Sequence, residues 1–166
     1  MKEWTKHIIR WLIVVLLQVL LIDRLQIGGV CHPQIYILCL IMFSIQLPRW
    51  ADMLIGAFVG LVMDIYGNCL GTHMCACIAL MYARRLLIER LVSEPERISG
   101  EIFSRTIGWI AMLELTAILT ALHHTILILL SAWSLQHFGY TMVAILLSSL
   151  ITILIIIGYD KIHSIS

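Results

Sequence analysis

GAFVGLVMDIYGNCLGTH, residues 56–73, decides how this chain is built. In its first half Gly56, Gly60 and Asp64 recur every fourth residue, and Asp52 continues the series upstream. On an α-helix such positions climb one side, drifting by about 40° per step. Gly56-x-x-x-Gly60 strips that side of side chains, so a neighbouring helix can approach closely. The polar turn Tyr66-Gly67-Asn68-Cys69-Leu70-Gly71 follows, and the apolar pattern resumes at Thr72-His73. The second segment carries Thr72, Ala76, Ala79 and Ala83 along one face, a small-residue seam suited to the glycines. The stretch therefore predicts two antiparallel helices. It also brings Asp64 and His73 to the same end of the hairpin, where a hydrogen bond or ion pair would lock the turn.

The rest of the chain tells what solvent this hairpin lives in. Of its 166 residues, 61% are hydrophobic and 13% charged, and the mean hydropathy is +0.98. Soluble domains are about 45–50% apolar and about 25% charged. A soluble protein this small keeps much of its surface in water and could not hide so much apolar area, so a bilayer is the expected solvent. The net charge of +1 points to no particular partner. No basic cluster with interleaved aromatics suggests nucleic acid.

Six apolar segments stand out: 8–22, 34–47, 51–66, 69–83, 106–130 and 140–158. Several are shorter than the roughly 20 residues expected of a spanning helix, and flanking Lys and Arg side chains would snorkel to extend them. Pro33 and Pro48 sit at segment boundaries, and Gly28-Gly29 breaks the first connection. Lys2, Lys6 and Arg10 before the first run resemble the start of a signal peptide. Asp23-Arg24-Leu25-Gln26 follows without a small-x-small cleavage site, so the run is read as an uncleaved span. With six spans, Lys2, Lys6, Arg10, Arg49, Arg84, Arg85, Arg90, Arg97, Arg105 and Lys161 fall on one side. That leaves only Arg24, of 11 basic residues, on the other. The positive-inside rule then places both termini in the cytoplasm. The expected architecture is all-α: a single integral membrane domain over residues 1–166, a compact bundle of about six short transmembrane helices. Residues 84–105, with mixed Arg and Glu, form a cytoplasmic connection suited to a helical extension at the membrane surface.

Charges at membrane depth cost roughly 2.5–3.5 kcal/mol on insertion scales, so each needs a reason. Asp52 lies near the inner interface, either wet or paired with Arg49. Glu114 is the deepest acid; it and His124 are expected as buried polar groups, sharing a face with Ala117 and Ala121. His123 and His124 fall near the outer interface. Asp64 and His73 form either a structural lock or a proton-transfer pair. The lock is preferred because no third group or nucleophile is in view. Five cysteines imply no disulfide framework. Cys75 and Cys77 point about 200° apart on a helix and do not chelate one metal. The histidine pair lacks visible further ligands, and no metal or cofactor is expected. Nucleophile-elbow, phosphate-loop, zinc-protease and dinucleotide fingerprints are all missing, so nothing points to an enzyme.

The pattern Gly-x-x-x-Gly-Leu-x-x-Asp, a short polar turn, then Gly-x-His resembles the MreD family of rod shape-determining membrane proteins. Gly56, Gly60, Leu61, Asp64, Gly71 and His73 are the matching positions. The length, the six short spans, Pro48 before the third span and the basic fourth–fifth connection look like that family too. The turn 67–70 departs from it, lacking the Pro or Thr of many members. The resemblance implies a non-catalytic scaffold of the cell-elongation complex in a bacterial inner membrane, supporting peptidoglycan synthesis. Implied partners are an MreC-like bitopic protein, a RodA-like glycosyltransferase, a penicillin-binding transpeptidase and the actin-like MreB filament at the cytoplasmic face, besides membrane lipid. Two other functions compete. One is a carrier similar to the substrate-binding components of vitamin transporters, with Asp64, His73 and His124 around a ligand. The other is a lipid-modifying enzyme using Asp64, His73 or Glu114 as acid–base groups.

Overall fold

A computed structural model describes residues 3–22, 31–44, 46–69, 71–93, 100–132 and 138–165. These residues form seven helices: α1 (Glu3–Leu20), α2 (Ile37–Ile41), α3 (Arg49–Gly67), α4 (Thr72–Leu91), α5 (Ser104–Ile107), α6 (Trp109–Ser131) and α7 (Phe138–Ile165). The fold is all-α. Helices α3, α6 and α7 are long and apolar enough to cross a membrane, and Ile9–Leu20 is a shorter apolar stretch within α1. The outward faces agree with a lipid surround. Leu54, Phe58, Leu61 and Ile65 on α3, Ile110 and Ile118 on α6, and Leu146, Leu150 and Leu154 on α7 all project outward. Soluble monomers rarely expose apolar area on that scale.

Neighbours along the chain are neighbours in space: α3 packs on α4, α4 on α6, and α6 on α7. The short helix α2 sits inside, against α4 and α6. All seven residues from Tyr36 to Met42 are buried. Leu80, Met81 and Ile88 of α4 pack with them, as do Met112, Leu115 and Leu119 of α6 and Ile156 of α7. Trp11 of α1 closes the core edge-on to Phe43, with ring centroids 5.3 Å apart.

Here the structure departs from the sequence reading. Segment 34–47 is expected to be a spanning helix, yet the only helix among its described residues has five residues. At 1.5 Å per residue that covers about 7.5 Å, against a hydrocarbon core of about 30 Å. Its unbroken apolar character reflects burial on every side rather than a lipid-facing surface. The fourth segment is extended by two helical turns to Leu91. The fifth is split at Gly108, whose φ of 89° separates α5 from α6. Residues 23–30, 45, 70, 94–99 and 133–137 lie outside the description, and with them Gly28-Gly29, Leu70, Glu94, Glu96 and Arg97.

Because the chain between Cys31 and Phe43 is mostly not helical, its backbone needs partners from elsewhere. Helix side chains supply them. Gln18 of α1 accepts from Ile35 N at 2.6 Å and donates to Pro33 O at 3.1 Å. Ser148 and Thr152 of α7 accept from His32 N and Gln34 N at 3.0 and 3.1 Å. At the other end Arg84 donates from Nε to Ile41 O at 2.9 Å and from Nη2 to Phe43 O. Arg85 donates to Leu47 O at 3.0 Å. Arg84, expected to snorkel at the surface, is instead fully buried. Its guanidinium provides the donors that the carbonyls after α2 would otherwise lack.

Candidate functional site

The α3–α4 hairpin holds the motif residues. A Cβ added to Gly60 would lie 2.4 Å from Met74 Cα and 2.7 Å from His73 O. One added to Gly56 would lie 2.8 Å from Met81 Cγ and 2.9 Å from Cys77 O. The two helices therefore touch backbone to backbone along the glycine face. The opposing surface is the run His73, Met74, Cys77 and Met81, not the expected seam Thr72, Ala76, Ala79 and Ala83. Since the glycines themselves supply the space, the facing helix need not be small.

Asp64 and His73 do meet, in a different way from that expected. Asp64 is buried and accepts from His73 N through Oδ1 and from Met74 N through Oδ2, both at 2.9 Å. These are N–H groups of the first turn of α4, which have no partner within their own helix. A carboxylate from α3 caps α4 and also meets the positive end of its dipole. Gly71 precedes α4 at φ 80°, a conformation that L side chains rarely adopt. Asn68 ends α3 at φ 50°, and Cys69 N donates back to Asp64 O at 2.9 Å. Leu61 is turned away, 45% exposed beside Phe58 and Ile65.

The His73 imidazole belongs to a second constellation that sequence reading missed. Tyr36 Oη lies 2.9 Å from His73 Nδ1 and 2.8 Å from His123 Nε2. The phenol has one proton to donate, so one of the two imidazoles must donate to its oxygen. Cys77 Sγ completes the cluster, 3.9 Å from Tyr36 Oη and 3.8 Å from His123 Nε2. His124 is buried as expected, its Nδ1 3.0 Å from Thr120 O, one turn back on α6. Polar atoms of Thr116, Thr120 and His123 Nδ1 are buried in the same part of α6 without a hydrogen-bond partner among the described residues, while His124 also bonds the His32 backbone. Tyr36 carried no sequence signal, because it sits in a continuous apolar run and meets residues 37 and 87 positions away.

Glu114 corrects the sequence reading. It was expected to be buried on the face of His124, yet it is exposed. The buried residues of α6 run Met112, Leu115, Thr116, Leu119, Thr120, His123, His124 and Leu127. At about 100° per residue, Glu114 lies about 170° from the centre of that stripe. Ten residues separate Glu114 from His124, which rotates them about 80° apart.

Toward the other end of the hairpin lies a charged group. Arg49 donates to both oxygens of Glu89 at 2.9 and 3.0 Å, and Arg85 Nε reaches Glu89 at 3.3 Å. Asp52, buried, faces Arg85 at 3.7 Å rather than Arg49. The Arg49 hydrogen bonds, with help from Arg85, hold the exposed Glu89 carboxyl below its ordinary range. Arg10 pairs with Glu101, tying α1 to the segment before α5.

Asp64, Cys69 and His73 also place one metal-ligating atom each within 4.8 Å of one another. Cys69 was not singled out in the sequence, where a lone thiol in a turn gives no signal. No protein-family model, no curated protein and no solved structure matches this chain.

Proposed function

We propose that this chain is a non-catalytic membrane scaffold similar to the MreD family. In this reading it is a multi-pass protein of a bacterial inner membrane and supports the cell-elongation machinery that makes peptidoglycan. It binds an MreC-like bitopic protein and stands beside a RodA-like glycosyltransferase and a penicillin-binding transpeptidase.

The observation that carries the reading is the use of Asp64. Each of its oxygens accepts from a backbone N–H group of the first turn of α4. A carboxylate held in that way is a structural cap, and general acid–base work needs one that reaches a reacting proton. Gly56 and Gly60 are likewise spent on the close approach of the two helices. The motif thus builds a rigid hairpin whose outer face, with Phe58, Leu61 and Ile65, is left for a helix in the membrane.

The test is a detergent-solubilised pull-down of the tagged chain from its native membrane, read by mass spectrometry. Recovery of an MreC-like protein with a wall synthase supports the scaffold. Recovery of ATPase subunits with a coupling membrane protein would make it a carrier and refute the proposal.

A further inference from the structure

We propose that Asp64, Cys69 and His73 form a binding site for a borderline-soft divalent transition ion, with Zn²⁺ the best fit. The proposal does not rest on the scaffold reading. It uses the same hairpin, but at its tip and through different chemistry.

The ligand set is the first argument. A carboxylate, a thiol and an imidazole are the three side-chain types that bind Zn²⁺, and three protein ligands leave a fourth position for water. The thiolate excludes Mg²⁺ and Ca²⁺, which take oxygen ligands. The ligating atoms lie within 4.8 Å of one another. Bonds of about 2.0–2.3 Å in a tetrahedral site place ligands about 3.4 Å apart. Closing the site therefore asks for shifts of about an ångström, within reach of side-chain rotation. Cys69 has that freedom: it is half-buried, and among the described residues its thiol bonds only its own turn, Gly67 O at 3.4 Å.

The frame is the second argument. Three backbone hydrogen bonds fix the ligands' chain positions: Cys69 N to Asp64 O, His73 N to Asp64 Oδ1 and Met74 N to Asp64 Oδ2, all at 2.9 Å. The carboxylate retains acceptor capacity, since each oxygen carries two lone pairs and gives one to a backbone donor. Tyr36 Oη, 2.9 Å from His73 Nδ1, helps to fix the orientation of the imidazole.

Charge is the third. The Cys69 thiol releases its proton to solvent as the sulfur–metal bond forms. One thiolate, one carboxylate and a neutral imidazole then balance a divalent cation to zero. A neutral site suits a buried carboxylate at the end of a membrane hairpin better than a net charge would. The bound ion would clip the turn 67–72, joining the end of α3 to the start of α4.

The experiment uses the full chain, purified metal-free in detergent and titrated with Co²⁺ alone. The expected result is a thiolate-to-Co²⁺ charge-transfer band with the visible bands of a four-coordinate site, both erased by Zn²⁺. Cys69→Ser should lose the charge-transfer band. In chelator competition it should weaken Zn²⁺ binding by more than the roughly 10–100-fold that losing an outer-shell partner costs. Cys75→Ser, at an exposed cysteine outside the cluster, should keep both. Asp64→Asn is avoided because it also removes a helix cap, whereas Cys69→Ser leaves the backbone frame in place. A wild-type chain without the charge-transfer band overturns the site, and so does a Cys69→Ser variant that retains it.

Discussion

Replacing Gly60 with alanine tests the hairpin at its tightest point. The added methyl carbon would lie 2.4 Å from Met74 Cα and 2.7 Å from both His73 O and Met74 N. Non-bonded carbons prefer about 3.5–4.0 Å, so α3 and α4 must part there by about 1 Å or more. The obstacle is backbone on both sides, and no side chain can rotate out of the way. Asp64 lies one turn further along α3, and its two 2.9 Å bonds to α4 would stretch past the roughly 3.2 Å limit of a good N–H···O bond. Hydrogen bonds to charged groups contribute about 1.5–3 kcal/mol each, and overpacking costs about 1–3 kcal/mol. Alanine's better helix propensity returns about 1 kcal/mol. At the low end of each range the net loss is about 3 kcal/mol. Equilibrium unfolding in mixed micelles, followed by tryptophan fluorescence, measures it. Gly158→Ala is the control, because among the described residues nothing lies within 4 Å of a Cβ there. It should be neutral or stabilising by up to about 1 kcal/mol. If Gly60→Ala falls within about 0.5 kcal/mol of wild type, the backbone contact at the centre of this account is wrong.

Three further outcomes are expected. Tyr36→Phe leaves the buried Nε2 of His123 with only the weak Cys77 thiol contact at 3.8 Å and should cost about 1–3 kcal/mol, whereas Tyr82→Phe, at an exposed tyrosine, should cost nothing measurable in the same unfolding assay. Glu114→Gln should change stability by no more than about 0.5 kcal/mol. A loss above about 2 kcal/mol would place Glu114 in the interior. The Glu89 carboxyl is held below its ordinary value by Arg49 and Arg85, so its ion pairs stabilise the fold above the unfolded value of about 4.3. That contribution fades as pH falls through the lower folded value. The thermal midpoints of wild type and Glu89→Gln should therefore differ at pH 7 and converge in acid, and a gap that persists in acid would exclude the pairing.

The hairpin was legible because its signals are local. Gly56, Gly60 and Asp64 repeat with the helical period, and only a few residues separate the two helices, so register follows from spacing alone. The reading failed where the decisive contact is remote or the pattern carries no period. Segment 34–47 is apolar without interruption, which fits a spanning helix and an interior segment equally well. Only packing by α4 and α6 decides between them. Glu114 was misplaced by carrying a seam too far, since steps of three and four residues lose a common face after about three turns. The Tyr36 cluster joins α4 and α6 to the residue just before α2, and no short-range pattern marks such a meeting.

Polar residues scattered through apolar helices invite a catalytic or transport reading, and in this chain many have another occupation. In a low-dielectric surround every backbone N–H and C=O must find a partner, and a segment that is not helical cannot supply its own. Gln18, Ser148 and Thr152 serve the stretch before α2, and Arg84 and Arg85 serve the stretch after it. Asp160 accepts from Ser104 N at 2.9 Å at the start of α5, and Asp64 does the same work for α4. The side chains come from α1, α3, α4 and α7, and His124 of α6 adds a hydrogen bond to the His32 backbone. Lone polar residues on several apolar helices therefore belong together as evidence of an inserted segment, even where no periodicity reveals it. Within α6 such accounting leaves over Thr116, Thr120 and His123 Nδ1, whose buried polar atoms have no hydrogen-bond partner among the described residues. That remainder separates the interior of α6 from the capping residues, and it is there, rather than at Asp64, that a carrier reading would have to find its ligand.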